Sequence, residues 1–331
     1  MKPYLVDVPV RINIWIRPEC QRRQWEIIKK ARPSILFIQS DGGRNEKEWK
    51  AIRENRKLID EGIDWECQVY RAYEEKNNGM YAMSKKVYEL IWSTVDRCIL
   101  LEDDLIPSVS YFSFCEELLE RYKDDERIEC ICGMNHLEKY TEPKADYFFA
   151  RQGSIWGVAT WKRVFQNRGF EYGEDSYMLK LLRQRTKHNG MAWRRLNGYL
   201  KGEKYEGHVP GSEFWFEFDM YGQNRLQIIP KVNMISNIGA ADTSEHAAEL
   251  CLLPKGIRKV FNMSTYEMEM PLIHTNYVIP DVEYERKRNR IMGYNYPLII
   301  IYRKIERFLL LVKNGRIKDA IRKLFISRNE K

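Results

Sequence analysis

Apolar and polar positions alternate from Arg11 to Ile16 (RINIWI), which predicts a strand, and Pro18-Glu19 then opens a helix running through Ala31. Ser34 to Gln39 (SILFIQ) reads as a buried strand stopped by the turn Asp41-Gly42-Gly43. The pattern then predicts a charged helix from about Asn45 to Asp60, a strand from Trp65 to Arg71, a helix from Met80 to Trp92 and a fourth strand from Arg97 to Leu101. Strands alternating with helical segments of about a dozen residues imply βαβ units and a parallel sheet. Ligands in such sheets bind beyond the carboxyl ends of the strands. A helix near Val109 to Tyr122 and a strand near Ile128 to Cys132 follow. From there to about Pro280 the pattern loses its regularity, and long loops with short helices are expected; loops of that length usually carry function. No internal repeat and no low-complexity linker interrupts the chain.

Composition adds bounds rather than detail. The 331 residues, 44% hydrophobic and 31% charged, suit one large α/β domain with additions and not a disordered chain. Nine tryptophans fit either sugar stacking or a large core. The seven cysteines are scattered, with no Cys-x-x-Cys pair, against a disulfide framework or a zinc site. Met1 to Val10 holds no apolar stretch of signal-peptide length, so a reducing cytoplasmic location is expected. The net charge is +8, yet Arg286 to Lys331 alone carries fourteen Lys/Arg against three acids, a balance of +11 that leaves the remainder at −3. A nucleic-acid binder would spread basic residues over the folded body. That class, and nucleic acid as a partner, is therefore set aside.

The chemistry concentrates after the fourth strand, in Leu101-Glu102-Asp103-Asp104-Leu105-Ile106-Pro107. Adjacent carboxylates repel one another and burial disfavours their charged forms, so the site should attract a cation. Hard oxygen donors presented in ones and twos suit Mg²⁺ or Mn²⁺ completed by substrate phosphates and water. The plain alternative is a surface turn capping the next helix, although a cap needs only one acid.

Strand-Glu-Asp-Asp-apolar followed by Pro107 and Tyr111-Phe112-Ser113-Phe114-Cys115 resembles the "DxD" region of GT-A glycosyltransferases. More narrowly it resembles the N-acetylglucosaminyltransferases that start hybrid N-glycans and bacterial surface-polysaccharide transferases of that layout. Pro9 to Arg11, Arg17-Pro18, Asp41 to Glu46, Trp156-Gly157 to Trp161, Ile229 to Asn233, Ser236 to Gly239 and His246 recur in the same order, so the resemblance spans roughly residues 9 to 280. It implies a GT-A fold, an α/β domain with a Rossmann-like, mostly parallel sheet and flanking helices, followed here by a basic amphipathic helical tail. It also implies a UDP-sugar donor, a divalent cation and a glycan acceptor. By position, Asp104 is similar to the direct metal ligand, and Glu102 and Asp103 to residues near the ribose and the metal waters. Asp41 is similar to the acid that hydrogen-bonds uracil, or it is a plain Asp-Gly turn. Arg17 resembles an arginine on the diphosphate, or it is a solvated surface arginine. Lys86, with Lys85, either reaches the phosphates or lines a solvated face. The loop Asn237 to His246 resembles one that closes over the donor, with His246 touching diphosphate or metal; His274 is a weaker candidate.

An inverting transfer needs a carboxylate to take the acceptor proton. Gly211 to Asp219 offers three acids among bulky aromatics, and ungapped alignment back from Pro230 puts Glu213 at the family's basic acid, with Glu217 second. Ser212 stands where the family has Trp, and the segment reads equally as a buried helix with Ser212 as its cap. Trp156 and Trp161 are expected to shape the acceptor side, with Gly157 allowing close approach. These readings divide the chain into a nucleotide-sugar-binding half (1–135), an acceptor-binding and catalytic half (136–285) and a basic amphipathic tail (286–331). In the tail, Ile301, Ile305, Phe308 and Val312 make an apolar face backed by Lys and Arg, suited to an anionic membrane or to packing on the body. Its apolar run is too short to span a bilayer. The expected place of work is the cytoplasm, peripheral on the inner face of the membrane. A sugar nucleotidyltransferase, the alternative enzyme, would need a glycine-rich loop near the N-terminus, and residues 9 to 20 contain no glycine.

Overall fold

The structure, a computed structural model, describes residues 1–166, 176–186, 192–194, 196–197, 212–239 and 250–320, with the side chains of 212–215 and 219 left out. His246 and the residues after 320 lie outside these. The first half alternates as the pattern predicts: β1 (Val6–Asn13), α1 (Pro18–Ala31), β2 (Pro33–Ser40), α2 (Glu46–Gly62), β3 (Gln68–Tyr73), α3 (Met80–Thr94) and β4 (Arg97–Leu101). Then come β5 (Leu105–Pro107), α4 (Ser110–Arg121), β6 (Ile128–Cys132), β7 (Tyr147–Ala150), β8 (Val158–Trp161), α5 (Lys162–Gln166), α6 (Ser176–Arg185), α7 (Ser212–Gly222), β9 (Leu226–Pro230) and β10 (Ile235–Asn237). A short α8 (Lys255–Arg258) precedes α9 (Val282–Met292) and α10 (Pro297–Lys313).

Eight strands form one sheet in the order β3-β2-β1-β4-β8-β6-β9-β7, and β5 pairs with β10 in a separate two-stranded sheet. The strands from β3 to β4, together with β6 and β9, run one way, while β8 and β7 run against their neighbours. The α/β expectation, a mostly parallel sheet flanked by helices, therefore holds. Alternation along β4 shows why both faces are covered. Ile99 and Leu101 enter the cluster with Trp25 of α1, Ile59 of α2 and Phe112 of α4, whereas Cys98 and Leu100 enter that of Val87 of α3, Phe216 of α7 and Tyr284 of α9.

Two expectations need correction. β1 begins at Val6, not Arg11, because Pro9 is tolerated inside a central strand: β4 pairs only with Val10 to Ile12, and the β2 register shifts between Val6 and Pro9, so no ladder bond demands the missing N–H. The stretch from Cys132 to Pro280 is also less irregular than its pattern, since four short strands within it complete the sheet and pair with β5. Such strands are too short to show a period.

The proposed boundary at 286 falls inside α9. Asp281 caps that helix, accepting from the Tyr284 N–H at 2.8 Å. Tyr284 is fully buried, its ring 4.7 Å from Phe148, and Glu285 pairs with Arg151 at 2.7 Å. α9 thus belongs to the packed body. Truncating Tyr284 to Ala should cost about 3–5 kcal/mol of unfolding free energy, the usual range for a large buried aromatic. Urea unfolding measures this; a loss below about 1 kcal/mol would mean that α9 is not part of the core.

Candidate active site

Glu102 to Asp104 form the turn between β4 and β5, at the carboxyl edge of the parallel strands. One buried amide fixes that turn at both ends. Gln24 of α1 donates to the Glu102 carbonyl at 2.7 Å and to the Leu105 carbonyl at 2.8 Å, and Gln21 orients it by donating to its Oε1 at 3.1 Å.

The three carboxylates have two different cationic partners. Arg11, on the central strand β1, is 2% exposed and donates to Glu102 Oε1 from both terminal nitrogens, at 3.1 and 3.2 Å, and to the Leu101 carbonyl. Asn13 donates to the other Glu102 oxygen at 3.2 Å. Burial works against the Arg11 charge, but Glu102 and Tyr88 outweigh it and the guanidinium pKa is raised. Arg17, at the N-cap of α1, lies 3.3 Å from Asp103 Oδ1 and 3.1 Å from Asp104 Oδ2. It is therefore not a solvated arginine. The α1 N-terminus has no side-chain cap, so its partial positive charge adds to that of Arg17 at this edge.

Burial, the largest cause, pushes Asp103 up to about 7, with Arg17 opposing and Asp104 and Glu102 adding. Asp104 is raised as well, again mainly by burial. The folded value of Asp103 lies above its ordinary 3.8, so its contribution to stability is full below that value and is lost as pH rises through about 7. Two half-buried aspartates whose ionised forms are disfavoured offer oxygen donors of the kind a hard divalent cation takes. Among the described residues no three His, Cys, Asp or Glu side chains gather into a group that could hold a metal ion.

The other wall is β10 and the residues after it. Ile235 is buried between Gly133 and Gly157, where a Cβ would meet its side chain at 2.2 and 2.7 Å. Gly157 thus admits an isoleucine, not an approaching acceptor. So anchored, β10 pairs with β5, Ile238 N–H donates to the Asp104 carbonyl at 2.9 Å, and Gly239 N–H donates to Asn237 Oδ1 at 2.9 Å. A Cβ on Gly239 would lie 1.9 Å from Asp104 Oδ2.

The remaining candidates are spread more widely. Asp41 accepts from the N–H groups of Gly42 (2.9 Å), Asn78 (2.9 Å) and Gly79 (2.8 Å) and from the Asn77 amide (3.2 Å), so its carboxylate organises the entry to α3. Lys86 is exposed and ion-paired with Glu74. His274 lies 2.8 Å from Glu117 and 3.1 Å from the Tyr147 hydroxyl, a tie between the 268–275 segment and α4. Trp161 is core, its indole donating to the Leu119 carbonyl at 3.0 Å, and Trp156 packs on Phe261. Glu217 is half-buried on α7, between the buried Phe216 and Phe218; Glu213 starts the same helix, its side chain outside the described set. Sequence reasoning missed Arg11, Asn13 and Gln24. Arg11 left one signal, a charge beside the apolar Val10 and Ile12 that pair with β4; Gln24 left none.

No family model and no curated protein matches the chain. Among solved structures, S. aureus TarS (residues 1–349) overlaps 50% of this chain at 7% identity and TM-score 0.34, the chain spanning 49% of that one. Glucosyl-3-phosphoglycerate synthase from Mycobacterium tuberculosis, solved with Mn²⁺, UDP and phosphoglyceric acid, overlaps 62% of this chain and 80% of its own at 11% identity and TM-score 0.32. UDP-glucose pyrophosphorylase complexed with UDP-glucose overlaps 70% and 93% at 8% identity and TM-score 0.32.

Two outcomes follow from the geometry. If Asp104 holds a divalent cation, Gly239→Ala should weaken Mn²⁺ binding about tenfold or more, as a change beside a ligand does, and isothermal titration would read it; unchanged affinity would mean that Asp104 does not hold the ion. If Asp103 takes part in that site, wild-type Mn²⁺ affinity should rise with pH up to about 7 as Asp103 ionises and level off above that. A flat profile would remove Asp103 from the site.

Proposed function

We propose that the chain is an inverting, metal-dependent glycosyltransferase moving a sugar from a UDP-sugar to a glycan acceptor, free or lipid-linked, on the cytoplasmic side of a membrane. One observation carries this reading: a pair of half-buried aspartates at the carboxyl end of β4, sharing a single arginine that opens α1. That edge of a parallel sheet is where nucleotides lie, and a helix N-terminus beside a guanidinium suits a diphosphate. In this reading Asp104 holds Mn²⁺ or Mg²⁺ directly and Asp103 orients its waters. The bound ion supplies neutralisation of charge on the departing diphosphate. Glu102, held by Arg11 and Asn13, presents its free lone pairs to the ribose. Arg17, exchanged off the aspartates, pairs with the diphosphate. Asp41 serves the base side by fixing the loop before α3, and Lys86 stays outside the donor contacts.

For the acceptor step, Glu213 takes the hydroxyl proton, the hydroxyl oxygen attacks the anomeric carbon, and UDP leaves with the electron pair of the broken bond. Topology favours Glu213 over Glu217. Only residues 223–225 join α7 to β9, so the C-terminal end of α7 lies at the amino edge of the sheet and its Ser212 end points back toward the carboxyl edge.

Asp104→Ala should abolish Mn²⁺-dependent release of UDP from a panel of UDP-sugars while the urea midpoint stays near that of wild type. Activity that survives EDTA would sink the metal-dependent reading. Pyrophosphate-driven formation of UTP, without UDP release, would mark a nucleotidyltransferase instead. Glu213→Gln should keep UDP affinity and lose about 10²–10⁴-fold in kcat; a dead Glu217→Gln beside an active Glu213→Gln would move the base one turn along α7.

A further inference from the structure

The helix α10 is built inside out. Two of its charged side chains turn toward the body: Arg303 donates to the Ile291 carbonyl, and Glu306 Oε1 accepts from the Lys255 N–H at 3.0 Å. Leu311 locks the orientation by burial against Leu252 and Ala320. The opposite face carries Leu298, Ile301, Tyr302, Ile305, Leu309 and Val312, all exposed, with Leu298 at 79% and Leu309 at 60%. Their spacing of three and four places them in one stripe, and 17 residues make it about 25 Å long. Phe308, expected on the outer face, is half-buried, and Leu309 takes its place. A surface helix ordinarily shows water its polar face. A contiguous apolar stripe held outward by polar contacts on the opposite side of the helix marks a docking surface.

Charge decides what docks. Exposed Lys304 and Lys313 flank the stripe, Lys318 follows, and the chain from Arg286 onward carries +11. A second copy would bring two lysine rims together and is opposed by repulsion; an acidic, partly apolar surface complements the stripe. No described helix is long and apolar enough to cross a membrane. We propose that α10 lies in the plane of an anionic lipid bilayer, its apolar stripe seated among the acyl chains and its lysines on the headgroups. This stands independently of the transfer reaction, since it needs no turnover.

The test is flotation of the full chain with phosphatidylcholine vesicles, with and without phosphatidylglycerol. Wild type should float only with the anionic vesicles, and high salt should reduce it. Ile305→Glu combined with Leu309→Glu, at positions that are already exposed, should lower the bound fraction about tenfold or more without moving the urea midpoint. Leu309→Trp should show blue-shifted emission on binding. The proposal is overturned if wild type fails to float, or if the double variant floats equally well. It is also overturned if the double variant turns a wild-type dimer into a monomer and neither protein floats, which would assign the stripe to a second copy. Flotation gained only on removing residues after 320 would assign it to the chain's own end and overturn it too.

Discussion

Three carboxylates at the end of one buried strand repel each other and resist losing water, and the surrounding structure is arranged to hold them there. A turn of that composition would relax outward if only β4 held it. Gln24 prevents this by bonding the carbonyls at both ends of the turn, so the backbone is pinned by neutral groups while the charges are dealt with separately. A buried amide with all its bonds made is an inexpensive way to fix a backbone. The repulsion left over is what makes the site receptive to a cation.

The opposite wall is anchored by the packing of one side chain and tied by backbone hydrogen bonds. Ile235 fills a slot between two glycines, and that one side chain sets the register of β10 on β5. Register then brings the Ile238 and Gly239 backbone against Asp104, closely enough that no side chain fits at 239. The electrostatic wall and the packed wall therefore meet at a single carboxylate. Changes on either side should be felt there before they are felt in the sheet.

Much of the first half was legible because each strand is a short apolar run closed by turn residues, and each helix carries a clear period. β4 and β6 lie where the pattern puts them, and the acid turn stood out by composition. What the sequence hid was long-range. Arg11 meets Glu102 across 91 positions, Gln24 meets the turn across 78, and nothing local marks either partner. The strands β7 to β10 were missed for a related reason: with three to five residues each, they take their identity from neighbours, not from a period. Trp161 shows the converse, since an aromatic that could have lined a sugar site is explained by one indole bond inside the core.

The two arginines of the site do different physical work, and their burial separates them. Arg11 is enclosed within the sheet; removing Glu102 would strand a charge with no route to water, so this pair is permanent. Its effect is to fix the orientation of Glu102. Arg17 opens a helix at the sheet edge and divides one guanidinium between two aspartates, with longer contacts and more solvent. A small, doubly charged ion would satisfy Asp103 and Asp104 better than half a guanidinium each. The displaced arginine would still lie beside the helix N-terminus, where it can meet only an anion. Under the proposed function, entry of a cation and recruitment of an anion at this edge would be coupled through one side chain, while Glu102 stays outside the exchange.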